Sequence, residues 1–163
     1  MDNLDYKASY GWQRYFGDTT FSFGFISGYK TAGDVLVDKK MPDLLLFPII
    51  FNYRQYMELV LKHICYSNMN IEDYNKIIKK VSHHLKDIWV EAKKFINISN
   101  QDITYINDVV SLFEQLDDDS MKSRYEFDKQ GNRMLADDFD INTLNLKICI
   151  ENVDKILYFT YGD

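Results

Sequence analysis

The segment Leu44–Ser67, "LLLFPIIFNYRQYMELVLKHICYS", limits the possible folds more than any other part of the chain. Ile50, Tyr53, Met57, Leu61 and Ile64 recur at three- and four-residue spacing, which a helix gathers on one face and a strand divides between two. Arg54, Glu58 and Lys62 form a second stripe at i, i+4, i+8, so they are neighbours on that same helix. Pro48 removes one backbone donor and crowds the previous turn, which places it in a first turn or at a kink. A helix this long and this apolar needs partners to cover it. Only "TFSFGF" (Thr20–Phe25) alternates enough to offer a strand instead.

The remaining segments carry the same period. From Phe21 to about Val37, the residues Phe25, Tyr29, Ala32, Gly33 and Leu36 predict an amphipathic helix. "NMNIEDYNKIIKKV" reads as a short helix. Ser82 is a candidate cap for a helix from His83 to about Ile96, with Leu85, Ile88, Trp89, Ala92 and Phe95 inward. Ser99 and Asp102 form a capping-box variant before "ITYINDVVSLFEQL", which turns Ile106, Val109, Val110, Phe113 and Leu116 to the core. A last helix runs from Ile141 to about Phe159 and buries Leu146, Cys149, Ile150, Val153 and Leu157. The expected fold is all-α: a four- or five-helix up-and-down bundle in a single domain over residues 1–163. Two additions flank it. Residues 1–20 form an aromatic N-terminal extension, with Tyr10, Trp12, Tyr15 and Phe16 laid over the core. A small loop or hairpin falls near residues 120–135, where Gly131-Asn132 sits between Phe127 and Met134.

Composition narrows the function. A chain of 163 residues buries about two-thirds of its unfolded surface, and 46% hydrophobic residues supply a core without disulfides. Its net charge of −6 argues against a generic duplex-DNA binder, because that affinity comes mainly from Lys and Arg. Cys65 and Cys149 stand alone in apolar surroundings and read as free thiols. The acidic start "MDNLDYKASYGW" does not read as a secretory signal, and "LLLFPIIF" is too short to span a membrane. The expectation is a soluble cytoplasmic protein with no membrane partner.

There is no glycine-rich phosphate loop, HExxH, nucleophile elbow or paired Cys/His metal spacing, so no cofactor and no metal is expected. His83 and His84 are consecutive and would point about 100° apart on a helix. Two polar groups remain. The Arg54–Glu58–Lys62 stripe lies between Tyr53 and Tyr56 in an apolar helix, and is either a solvated row of ion pairs or a buried one in which Glu58 pairs Arg54. The stretch "SRYEFDKQGN" (Ser123–Asn132) follows the acidic run Asp117–Asp119. Either it is a plain loop tip, or Arg124 offers a planar fork for phosphate or carboxylate, Tyr125 a stacking face, and Asp128 a carboxylate to orient Arg124.

In order, "FPIIFNYRQYMELVLKHI", "HHLKDIW" and "SLFEQLDDDSMKSRYEFDKQGN" resemble an uncharacterised bacterial and phage branch of the HEPN-like domains, over about residues 21–160. That resemblance implies a helical bundle, often a homodimer, that binds nucleotides or cleaves RNA without a metal in toxin–antitoxin and antiphage systems. The wider family's catalytic signature is an Arg followed four to six residues later by a His. It is missing here: Arg124 meets Lys129 at that distance, and Arg54 reaches His63 only after eight intervening residues. The expected function is therefore a HEPN-like binding or regulatory domain without catalysis, acting in bacterial or phage defence, counter-defence or a toxin–antitoxin pair. Its ligand would be a protein partner, a nucleotide or RNA. The ligand-binding candidates are Arg54, Glu58, Lys62, Arg124, Tyr125 and Asp128. One alternative is a metal-independent endoribonuclease with His84, Arg124 and Lys129 as catalytic candidates. The other is an oligomerising interaction protein. A cleft uniting Arg54, His84 and Arg124 favours the first two, whereas a solvated, scattered set favours the third.

Overall fold

The computed structural model describes residues 18–117, 120–134 and 139–161. The aromatic stretch 1–17 lies outside the described residues, as do Asp118 and Asp119. The described chain forms six α-helices: α1 (Asp18–Asp38), α2 (Pro42–Asn68), α3 (Ile71–Val81), α4 (Leu85–Ala92), α5 (Asn100–Leu116) and α6 (Thr143–Tyr161), with a 3-10 turn at Lys93–Phe95. The class is all-α, as expected, but the helices number six rather than four or five. The two shortest, α3 and α4, of 11 and 8 residues, fall on segments whose pattern already reads as helical, so the count of four or five holds for the longer helices only. The chain reverses between α3 and α4 at Ser82, which has a positive φ of 52°.

Helix α2 is the axis of the bundle and contacts each of the other five helices. Its apolar stripe Ile50, Tyr53, Met57, Leu61 and Ile64 is buried throughout, along with Ile49, Tyr56, Val60 and Cys65. Nearly the whole circumference of its middle section is covered, so the polar stripe has little surface left to occupy. Pro48 lies inside the helix rather than in its first turn. Its carbonyl accepts a bond from the Asn52 side chain at 2.7 Å.

Helix α1 includes residues 20–25, so the alternating "TFSFGF" is helical. The buried positions of α1 are Ile26, Gly33 and Val37, while Phe25 is exposed and Tyr29 and Leu36 are half-buried. The inward face is thus turned slightly from the one predicted. Gly33 explains why. A Cβ there would stand 2.5 Å from the Tyr53 ring, so only glycine lets α1 approach α2 this closely. The Tyr53 hydroxyl then donates to Asp34 at 2.8 Å.

Polar ties hold the other helices to this pair. Tyr56 of α2 donates to Asp154 of α6 at 2.7 Å, and Trp89 of α4 to Asn107 of α5 at 2.6 Å. Lys147 of α6 pairs with Asp38 of α1 at 2.8 Å. Ser99 caps α5 as predicted, accepting from the Asp102 amide at 3.1 Å and donating to its carboxylate at 2.7 Å. Ser82 does not cap α4. That position falls to His84, whose side chain makes no capping bond, and Ser82 instead ends α3 through an amide bond to the Ile78 carbonyl.

The predicted hairpin forms. Phe127 and Arg133 make an antiparallel bridge, and Gly131 supplies the positive φ of 84° that the turn requires.

Both cysteines are free thiols, with Cys65 buried. Burial pushes the Cys65 thiol up to about 11, which keeps it protonated and unreactive near neutral pH. Among the described residues no helix is long and apolar enough to cross a membrane.

Candidate functional site

The candidate residues fall into two groups that share one short segment, residues 117–124. The first group surrounds Arg54, which is 0% exposed. A buried guanidinium needs a partner for each donor edge, and the fold supplies them from three elements. Nη1 donates to Glu58 Oε2 at 3.0 Å, one turn along α2. Nε donates to the Asp117 carbonyl at 2.5 Å, just past α5. Nη2 donates to the His83 carbonyl at 2.5 Å, in the connection between α3 and α4. One side chain thereby ties α2, α5 and the α3–α4 connection together.

Glu58 is shared in the same way. Its second oxygen accepts from Lys62 at 2.7 Å and lies 2.8 Å from Nδ1 of His83. Burial by itself would raise its pKa. Hydrogen bonds and charge from Lys62 and His83 outweigh that cost and hold the carboxyl below its ordinary value. Among the described residues no buried side-chain nitrogen or oxygen lacks a partner. The network is complete without a ligand, and Arg54 and Glu58 have no surface to present to one.

Asp117 joins the first group to the second. It falls on the inward stripe of α5 (Ile106, Val110, Phe113), and its amide still donates to Phe113 at 2.8 Å. Its carbonyl faces Arg54, while its carboxylate turns the following chain back on itself. Oδ1 accepts from the Lys122 amide at 3.0 Å, and Oδ2 from the Ser123 amide at 3.3 Å and from the Ser123 hydroxyl. Asp117, Ser120 and Ser123 are all buried. Ser120 is held at a positive φ of 64°, a conformation that a serine adopts only when its surroundings fix it.

The second group lies on the surface beyond this turn. Arg124 donates through Nε to the Ser120 carbonyl at 2.6 Å and through Nη2 to the Met121 sulfur at 3.1 Å. Its guanidinium carbon stands 5.7 Å from the Phe51 ring centre and 5.4 Å from that of Tyr125, within cation–π range of both. Arg124 has no carboxylate partner among the described residues. It lines a groove of about 470 Å³ together with Phe47, Lys122, Ser123, Tyr125, Glu126 and Arg133.

The structure shows no single cleft uniting Arg54, His84 and Arg124: Arg54 is buried, while His84 and Arg124 are exposed. Arg54, Glu58 and Lys62 meet as their spacing predicts, with Arg54 and Glu58 in the interior and Lys62 half-buried at its edge. Arg124 and Tyr125 meet at the groove. Asp128 does not orient Arg124. It accepts from the Gln130 and Asn132 amides at 2.8 Å each and from the Asn132 side chain at 2.9 Å, so it shapes the hairpin turn. The Asn132 side chain and amide are the main reason its carboxyl lies below its ordinary value. Lys129 is exposed at the hairpin tip, away from the lining of the groove, and His84 is exposed. The histidine at the network is His83, not His84.

Two participants, Asp117 and His83, were not singled out from the sequence. Asp117 was legible as the next inward position after Phe113, but nothing in a run of three aspartates says which one turns in. His83 over His84 is decided by the reversal at Ser82. Among the described residues no cluster of three or more His, Cys, Asp or Glu is placed to hold a metal ion. No known family, no curated protein and no solved structure matches the chain.

Proposed function

We propose that this protein is a HEPN-like helical binding domain that acts without catalysis, and that its ligand site is the groove at Arg124 rather than the buried cluster at Arg54. The HEPN-like assignment, and with it a role in bacterial or phage conflict, rests on the sequence resemblance. One observation carries the site: a guanidinium held against two rings, with no carboxylate partner among the described residues, at the edge of an open groove. Its rotamer is already set by Ser120, Phe51 and Tyr125, so little side-chain entropy is lost when an anion arrives. Phe47 and Tyr125 add apolar faces beside the charge, which suits a ligand carrying an anionic group next to a flat or apolar one.

The test is an NMR titration of the whole chain with phenyl phosphate and with benzoate. Shifts at Arg124, Tyr125 and Arg133 that disappear in Arg124→Ala support the reading. Shifts absent from these residues, or unchanged by the substitution, refute it.

A second reading, a metal-independent ribonuclease, is favoured by one feature. His83 is 60% exposed, yet its Nδ1 is held by the buried Glu58 carboxylate at 2.8 Å. A carboxylate that orients an imidazole from behind leaves the other ring nitrogen available as a general acid or base. RNA cleavage in the presence of a chelator, abolished in His83→Ala, would establish it. An inert wild-type protein would remove it.

A further inference from the structure

We infer that the groove receives an extended peptide segment of a partner protein, one that carries a single carboxylate beside an aliphatic or aromatic side chain. The inference rests on the groove being the ligand site and specifies what occupies it.

Charge supports a single anion over a polyanion. Of the three cations at the groove, Arg133 is already paired with Glu126 at 3.1 Å. Arg124 alone combines a fixed orientation with no carboxylate partner among the described residues. Glu126, which also lines the groove, offsets the charge of Arg133, so the pair adds little net attraction for a second anion. The whole chain carries −6, so a strand with one charge per nucleotide meets repulsion as it extends beyond the few local cations. One carboxylate fits what the groove can neutralise.

Apolar surface supports a peptide. Phe47 and Tyr125 line the groove, and exposed apolar residues stand near each of them in the chain. Leu44, one turn before Phe47 on α2, is 69% exposed, and Phe127, two residues beyond Tyr125, is 51% exposed. Leu44 and Phe47, one turn apart on α2, share a side of that helix. The result is a charged centre with apolar margins. A peptide with an acidic residue flanked by apolar ones matches it, whereas a phosphodiester backbone would leave those margins facing water.

The test uses the full-length protein, a displayed library of random short peptides and a uridine oligoribonucleotide as competitor. Expected is enrichment of sequences with Asp or Glu next to Leu, Phe, Tyr or Trp. A synthetic copy of an enriched peptide should lose about tenfold or more in affinity when its acid is changed to the amide, and equally when the protein carries Arg124→Ala. Because Arg124 is exposed, that variant is expected to fold, and its melting curve checks this. Enrichment without the acidic–apolar pattern, or with no dependence on Arg124, overturns the inference. Binding of the oligoribonucleotide at Arg124 with no peptide enrichment also overturns it while leaving the groove as the ligand site. If neither probe binds and phenyl phosphate gives no shifts, the site reading fails with it.

Discussion

Arg54 and Arg124 are the same residue type, and both touch the one segment that runs from Asp117 to Arg124, yet their situations are opposite. Arg54 is enclosed, and its three nitrogens each have a partner: a carboxylate and two main-chain carbonyls. Arg124 is exposed, has one carbonyl and one sulfur, and rests on two rings. An arginine whose donors are all used inside the protein holds structure together. Arg124 is fixed in position and has no carboxylate partner among the described residues, which is the ground for proposing it as a ligand contact. The contrast separates a clasp from a proposed site, and charge alone would not have done so.

Substitution at the clasp gives the sharpest break. Arg54→Met removes the charge and leaves Glu58 Oε2, the carbonyl of buried Asp117 and the His83 carbonyl without this donor. We expect a loss of about 3–5 kcal/mol in chemical denaturation. A loss under about 1 kcal/mol would mean that water reaches the network and that Arg54 is not what ties α5 to α2.

Asp117→Ala strikes the junction between the two regions. It keeps the carbonyl bonded to Arg54 but removes the carboxylate that holds Lys122 and Ser123. The expected loss is about 1.5–3 kcal/mol, with a weaker response of Arg124 to phenyl phosphate in the NMR titration. Equal anion response in the variant and the wild type would show that the groove does not depend on the clasp.

Acid provides a milder probe of the clasp, because protonated Glu58 loses its charge but keeps its place. Its carboxyl lies below the ordinary 4.5 in the folded protein. A depressed value means that the ionised form is favoured by folding. Its contribution is therefore fully present above 4.5 and lost as pH falls through the lower folded value. Melting temperature should fall more steeply below pH 4.5 in the wild type than in Glu58→Gln. Parallel curves would show that other carboxyls account for the acid sensitivity.

The smallest effect on stability is expected at the groove. Arg124→Ala should change unfolding free energy by about 0.5 kcal/mol or less, as for most exposed substitutions, while abolishing the anion response. A large destabilisation would make Arg124 a second clasp and erase the contrast.

The sequence determined the class of fold and the partners within α2. Periodicity in Ile50, Tyr53, Met57, Leu61 and Ile64 comes from the 3.6-residue turn, a local property, so it is visible without any tertiary contact. The same geometry puts Glu58 within reach of Arg54 and Lys62. The capping pair Ser99–Asp102 and the turn at Gly131 are local too, and both were legible. What depends on distant chain was not. Whether the Arg54 stripe faced water or the interior was decided by the helices that surround α2. The face of α1 was set by the close approach of Gly33 to Tyr53. That Asp117 turned inward, and which of two adjacent histidines met Glu58, were settled by where α5 ends and how α3 reverses into α4. Hydrogen bonds across tens of residues leave no periodic trace in a sequence, because any Asp, Ser or main-chain carbonyl can make them once the fold brings it near.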